Sequence, residues 1–200
     1  NHAAEQMAFL SATFSERSTG YSLQMEPCFM PVLTKEILQK YVRKDLPGRE
    51  IFLVQLQDYT RQLAKQKMIY ICSMEGILRF LQNGRIPEIP DGLYEIPSVS
   101  DRIQIVKALL APERATRLRI LKNSISNTDT PIYLYITPKT GTLRLPLATD
   151  QMVNLQIQET GMLEAFYDFC ENLDEEMFYS FEEAEQIVEE EMKNQGWKAE

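Results

Sequence analysis

Few side chains in this chain are equipped for turnover, and their spacing decides what each can do. The only histidine, His2, lies at the very start of the sequence. Histidine is the commonest general base and metal ligand near neutral pH. With the one imidazole at a terminus, serine triads built on histidine and the two-histidine zinc helix have no base to use. Cys28, Cys72 and Cys170 are far apart and form no C-x-x-C pair, so neither structural zinc nor a disulfide framework is expected. Cys72 ends an apolar run and could sit at a strand end as a nucleophile, but no histidine stands by to form the thiolate. The following Ser73, in "ICSMEG", lacks the G-x-S-x-G elbow and is better placed to cap the next helix. Gly76 stands outside any glycine-rich phosphate loop.

The densest set of ionisable groups is the run "EAFYDFCENLDEEMFYSFEEAEQIVEEEM", Glu164 to Met192. Apolar residues recur at helical spacing through it. Met162, Leu163, Phe166, Phe169, Cys170 and Leu173 are expected on an inner face, with Glu164, Asp168 and Glu171 opposite. Ser180 and Glu183 fit a capping box, and Glu182, Glu183 and Glu185 fall where a helix dipole favours negative charge. Phe181, Ala184 and Val188 form a narrow inner stripe. Each carboxylate thus has a structural role or a solvent address. An acid/base pair would need one carboxyl desolvated beside another left charged, and the pattern buries none. No metal site is assigned here: Asp174, Glu175 and Glu176 lack the spacing and glycine of a calcium loop.

Recognition chemistry is better represented. Arg114, Arg117, Arg119 and Lys122 form the densest basic cluster, and Arg117 and Arg119 alternate with Leu118 and Ile120. Tyr133, Tyr135, Asn154 and Gln156 alternate in nearby strand-like segments. Arg117, Arg119, Tyr133, Tyr135, Asn154 and Gln156 are therefore the candidate ligand-binding residues, for a small acidic ligand. On this reading Arg119→Ala abolishes binding. No catalytic residue and no cofactor is assigned.

These residues need elements to hold them. Ala3 to Ser15 reads as a helix and "YSLQMEP" as a strand. Thr34 caps a helix that stops at "LPG", and a second runs from about Arg49 to Lys67. "MIYICS" is a buried strand, followed by a helix ending at Gly84. Helix, strand, helix is an α/β signature. The prolines at 87, 90 and 97 make a loop, which could act as a hinge. A helix capped by Ser100 then spans about Asp101 to Leu110. "ATRLRILK", "PIYLYIT", "TLRLPL" and "MVNLQIQ" read as four strands of a mostly antiparallel sheet, with "PKTG" as a hairpin turn. The expected fold is α/β or α+β, a mixed sheet with an antiparallel hairpin portion and helices on its faces. Residues 1–86 and 98–200 are expected to form one unit joined by the loop 87–97.

The 200 residues, 44% hydrophobic and 25% charged, are those of a chain with a sizeable core. The net charge of -8 opposes direct contact with nucleic acid or an anionic membrane. No apolar run reaches membrane-spanning length, and free thiols suit a reducing cytoplasm. The start without methionine reads as a piece of a longer chain. From Arg117 to Met192 the order of parts, "RLRILKNSIS", "TPIYLYI", "GTLRLPL", "MVNLQIQETGMLEAFYDFCENL" and "YSFEEAEQIVEEEM", resembles the C-terminal regulatory regions of Firmicute helix-turn-helix transcription regulators. The resemblance rests on pattern and carries over no functional residue. It implies a sensing or oligomerising role in a cytoplasmic bacterial regulator whose DNA-binding head is absent from this chain, with a homo-oligomer as partner. The alternatives are a docking module that uses the acidic helices, and an enzyme that works without histidine.

Overall fold

The computed structural model describes residues 19–86, 94–124, 133–148 and 151–197. The expected helix over residues 3–15 and the proline positions 87 and 90 lie outside the described residues.

Seven strands form one mixed sheet: β1 (Thr19–Gln24), β2 (Lys67–Ser73), β3 (Leu118–Leu121), β4 (Tyr133–Ile136), β5 (Gly141–Ala148), β6 (Gln151–Ile157) and β7 (Phe178–Tyr179). Their order is β6-β5-β4-β1-β2-β3-β7. β1 runs parallel to β2, and β2 parallel to β3, while β4, β5 and β6 continue antiparallel on the other side of β1. Among the described residues six α-helices accompany the sheet: α1 (Lys35–Tyr41), α2 (Arg49–Lys65), α3 (Met74–Asn83), α4 (Val99–Leu109), α5 (Thr160–Glu171) and α6 (Phe181–Asn194).

Alternation along the strands divides the core in two. Met68, Tyr70, Cys72, Leu118, Ile120, Tyr133 and Tyr135 belong to the larger core, together with residues from α1 to α4 and α6. Tyr21, Ile71, Leu121 and Ile136 point the other way and pack with Leu163 and Cys170 of α5. β2 is buried on both faces, as its unbroken apolar run requires.

Local signals set the helix boundaries. Thr34 accepts from the Ile37 amide, and Ser180 with Glu183 forms the full capping box. Ser73 caps α3, and Gly84 ends it in the left-handed conformation that glycine adopts without cost. Gly76 lies so close to the Met25 carbonyl that a Cβ there would collide with it. The α4 cap is Ser98, which accepts from the Asp101 amide, so the helix begins two residues before the boundary read from Ser100. Both serines suit the role, and Ser98 fills it.

One expectation about the sheet changes. β3 does not join the antiparallel portion; its neighbours are β2 and β7. The segments before and after the loop 87–97 share the one mixed sheet. β1 and β2, from the first half, lie between β4 and β3, from the second. Tyr94 and Glu95 at the end of that loop bridge to Val42 and Arg85. Rotation of one half against the other would break the central ladders. On α5, Met162 and Phe169 were expected inside but are 51% and 46% exposed, because only the Leu163 and Cys170 edge of the helix reaches the sheet.

Asp101 ties α4 to α1. Lys40 Nζ donates to its Oδ2 at 2.6 Å, and the Tyr41 hydroxyl donates to the same oxygen. Burial would raise the Asp101 pKa, but the Lys40 and Tyr41 hydrogen bonds outweigh it and hold the carboxyl below its usual 3.8. A depressed folded-state pKa contributes stability that is present above the unfolded value and lost as pH falls through the folded one. Asp101→Asn is therefore expected to lower stability at neutral pH and to flatten the loss below about pH 4. Urea unfolding across pH tests this; parallel wild-type and variant curves would refute it.

Candidate functional site

Cross-strand partners share a sheet face, and the ladders therefore bring several polar residues together. The turn Thr137–Thr140 is closed by the Thr137 amide on the Thr140 carbonyl at 2.8 Å, and it sets the register of β4 against β5. Tyr133 stands opposite Arg144, and Tyr135 opposite Thr142. β6 adds Asn154 beside Arg144 and Gln156 beside Thr142. β1 adds Gln24 beside Tyr133 and Ser22 beside Tyr135. Two adjacent polar rows result, Gln24–Tyr133–Arg144–Asn154 and Ser22–Tyr135–Thr142–Gln156.

Most of this patch is sealed from solvent. Ser22, Gln24, Tyr133, Tyr135, Thr142 and Arg144 are each 3% exposed or less. Arg144 Nε donates to Asn154 Oδ1 at 3.1 Å, and its guanidinium carbon lies 5.8 Å from the Tyr133 ring centre. The Tyr135 hydroxyl donates to Gln24 Oε1 at 3.3 Å. The Arg144 Nη1 and the Ser22 hydroxyl have no hydrogen-bond partner among the described residues. Among the described residues no carboxylate forms an ion pair with Arg144 either. A guanidinium out of water with one neutral acceptor is costly, since a buried charge normally needs a counter-charge and filled donors. Its flat fork of donors suits a carboxylate or phosphate.

Four of the six residues predicted for the ligand site, Tyr133, Tyr135, Asn154 and Gln156, thus share one face. Arg117 and Arg119 do not join them. Arg119 points to the opposite face, three strands from β4. It pairs with Glu175 at 2.5 Å and lies over the Phe178 ring at 4.0 Å. Arg117 is exposed and donates to the Gln66 carbonyl at 3.1 Å. The two arginines were grouped with the tyrosines on the assumption that β3 neighbours β4; the parallel β2–β3 ladder removes it. Arg144 is the cation the sequence reading missed. The signal was present: once "PKTG" is a hairpin turn, counting back from it sets Arg144 opposite Tyr133.

The remaining candidates have structural partners. The Ser73 hydroxyl accepts from the Gly76 amide at 3.1 Å and donates to the Met25 carbonyl at 2.8 Å, which uses it as a cap. Burial pushes the Cys72 thiol up to about 12, far from a thiolate. In the acidic run, Asp174 accepts from the Glu176 amide, Glu175 takes Arg119, and Glu183 closes its capping box. Among the described residues no group of three His, Cys, Asp or Glu side chains is placed to hold a metal ion, and no helix is long and apolar enough to cross a membrane.

Set against known proteins, the chain matches no family model, no curated protein and no solved structure. The site's chemistry must therefore be judged from its own geometry.

If Arg144 is unpaid for within the fold, an apolar side chain of similar length will serve the fold as well. Arg144→Met is expected to leave the thermal midpoint unchanged or raise it. A loss above about 2 kcal/mol would instead make the guanidinium a net structural strut.

Proposed function

We propose that this chain is a recognition domain that takes a small acidic ligand on Arg144, the ligand's carboxylate occupying the place of the missing counter-ion. The observation that carries this reading is a guanidinium only 2% exposed whose Nη1 has no hydrogen-bond partner, and which has no carboxylate partner, among the described residues. Tyr133 and Asn154 flank it with neutral groups, which orient a ligand without competing for its charge. A group so deeply buried is reached only when the protein opens, so binding and conformational change are linked. A ligand that prefers one arrangement shifts the population toward it. That linkage is what a sensing domain needs. With the resemblance of residues 117–192 to regulatory regions, it favours the sensing part of a cytoplasmic bacterial transcription regulator over an enzyme.

The test is calorimetric titration of the chain with a panel of small mono- and dicarboxylates and with inorganic phosphate. At least one carboxylate is expected to bind the wild type, and Arg144→Gln is expected to weaken it by a factor of about 100, the order for a charge-assisted bidentate contact. Arg119→Ala, on the opposite face, is expected to leave binding unchanged. Equal binding by wild type and Arg144→Gln, or loss of binding in Arg119→Ala alone, would refute the assignment. Preference for phosphate would keep the site and change the ligand class.

A further inference from the structure

The two edges of the sheet are treated differently. β7 at one end has two residues and is followed at once by the acidic first turn of α6. Short length and charge are standard protections against strand pairing. β6, at the other end, is the terminal strand among the described residues and spans seven. From Gln151 to Ile157 it reads "QMVNLQI", with no charge and no proline. The irregularity in its ladder lies at Pro146/Ala148, opposite the first two residues of β6. An open strand edge of this length and composition is a pairing surface.

Its side chains favour one occupant. The strand is centred on Asn154, with Val153 and Leu155 on either side of it. Leu155 is 48% exposed and Val153 half-buried. They stand beside half-buried Leu145 and Leu143 on the face that carries α5. Leu163 of α5 reaches this face at Gly141, beside Ile157, while Met162 of the same helix is 51% exposed. An antiparallel copy of β6 placed about a two-fold axis at Asn154 sets Val153 against the partner's Leu155 and Leu155 against the partner's Val153. Both half-exposed apolar residues are then covered by their own equivalents, and uncharged Gln156 brings no repulsion. Such a two-fold preserves the faces of the sheet.

We infer that a second copy of this chain docks on β6, antiparallel and centred on Asn154, to make one continuous sheet through a symmetric dimer. The polar rows then continue across the axis. Asn154, which accepts from Arg144 at 3.1 Å, comes to lie beside its symmetry mate, and the two Arg144 side chains are about three strand spacings apart, roughly 14 Å. The inference stands whether or not Arg144 binds an anion, since it rests on the strand edge.

The full chain is expected to sediment at twice its 23.2 kDa mass at tens of micromolar protein. Leu155→Lys, at an exposed position, is expected to give a monomer with unchanged circular dichroism. A register test stands independently of that variant. Mixed Val153→Cys and Leu155→Cys chains are expected to form a disulfide-linked heterodimer on mild oxidation, because directly opposed residues lie within disulfide reach. Each variant alone places its cysteines diagonally, roughly 7–8 Å apart, and is expected to link poorly. The three native cysteines are buried and do not interfere. A wild-type monomer, a dimer that survives Leu155→Lys, or self-linking as efficient as the mixture would overturn the inference.

Discussion

β1 is hydrogen-bonded on both sides, parallel to β2 and antiparallel to β4, and the rest of the architecture depends on that double pairing. It lies at the change from parallel to antiparallel strands, where helix-linked segments from early in the chain meet the later β meander. Parallel pairing with β2 requires a long crossover, supplied by α1 and α2. Antiparallel pairing with β4 brings a segment more than a hundred residues away in sequence to its other edge. Because the ladders are shared, the chain cannot be divided at the proline-rich loop without exposing unpaired backbone groups in the middle of a sheet.

The same strand makes the polar patch possible. Tyr21 and Leu23 of β1 face α5, so Ser22 and Gln24 face the larger core. On the antiparallel side of β1 that face becomes polar, through Tyr133, Tyr135, Thr142 and Arg144. On the parallel side it remains mostly apolar, through Met68 and Cys72. One continuous face thus changes from a packing surface to a surface rich in hydrogen-bonding groups across β1. Polar side chains sealed from water in this way stabilise a fold only when their bonds are filled. Arg144 Nη1, like Arg102 Nε and Arg114 Nε, has no hydrogen-bond partner among the described residues, a departure from what stability alone would select.

The acidic C-terminal region serves structure by a different physical route. Its carboxylates are held at helix starts and on outward faces, where backbone amides and water solvate them. Glu183 illustrates this: its pKa lies below the ordinary value because the Ser180 backbone amide, and then the Ser180 side chain, donate to it. Charge at helix ends costs little there and keeps the short β7 edge from pairing. Arg119 belongs to this region too, as the partner of Glu175 and the cap over Phe178, and that role explains why a conspicuous cation is not part of the polar patch.

Much of this was legible in the residues themselves, because it depends on local chemistry. Ser73, Thr34 and Ser180 cap helices through their own side chains, Gly84 ends one through its backbone freedom, and alternation marks the strands of the β4–β6 meander. The grouping of Tyr133, Tyr135, Asn154 and Gln156 followed from the same period of two. Strand order was not legible, since hydrogen bonding between strands distant in sequence leaves no local trace. Only the tertiary structure placed β3 beside β2 rather than β4, and with that choice kept Arg119 away from the polar rows that carry Arg144. The identity of the cation in the polar patch was therefore decided by which edges met, a property of the assembled sheet and of no single segment.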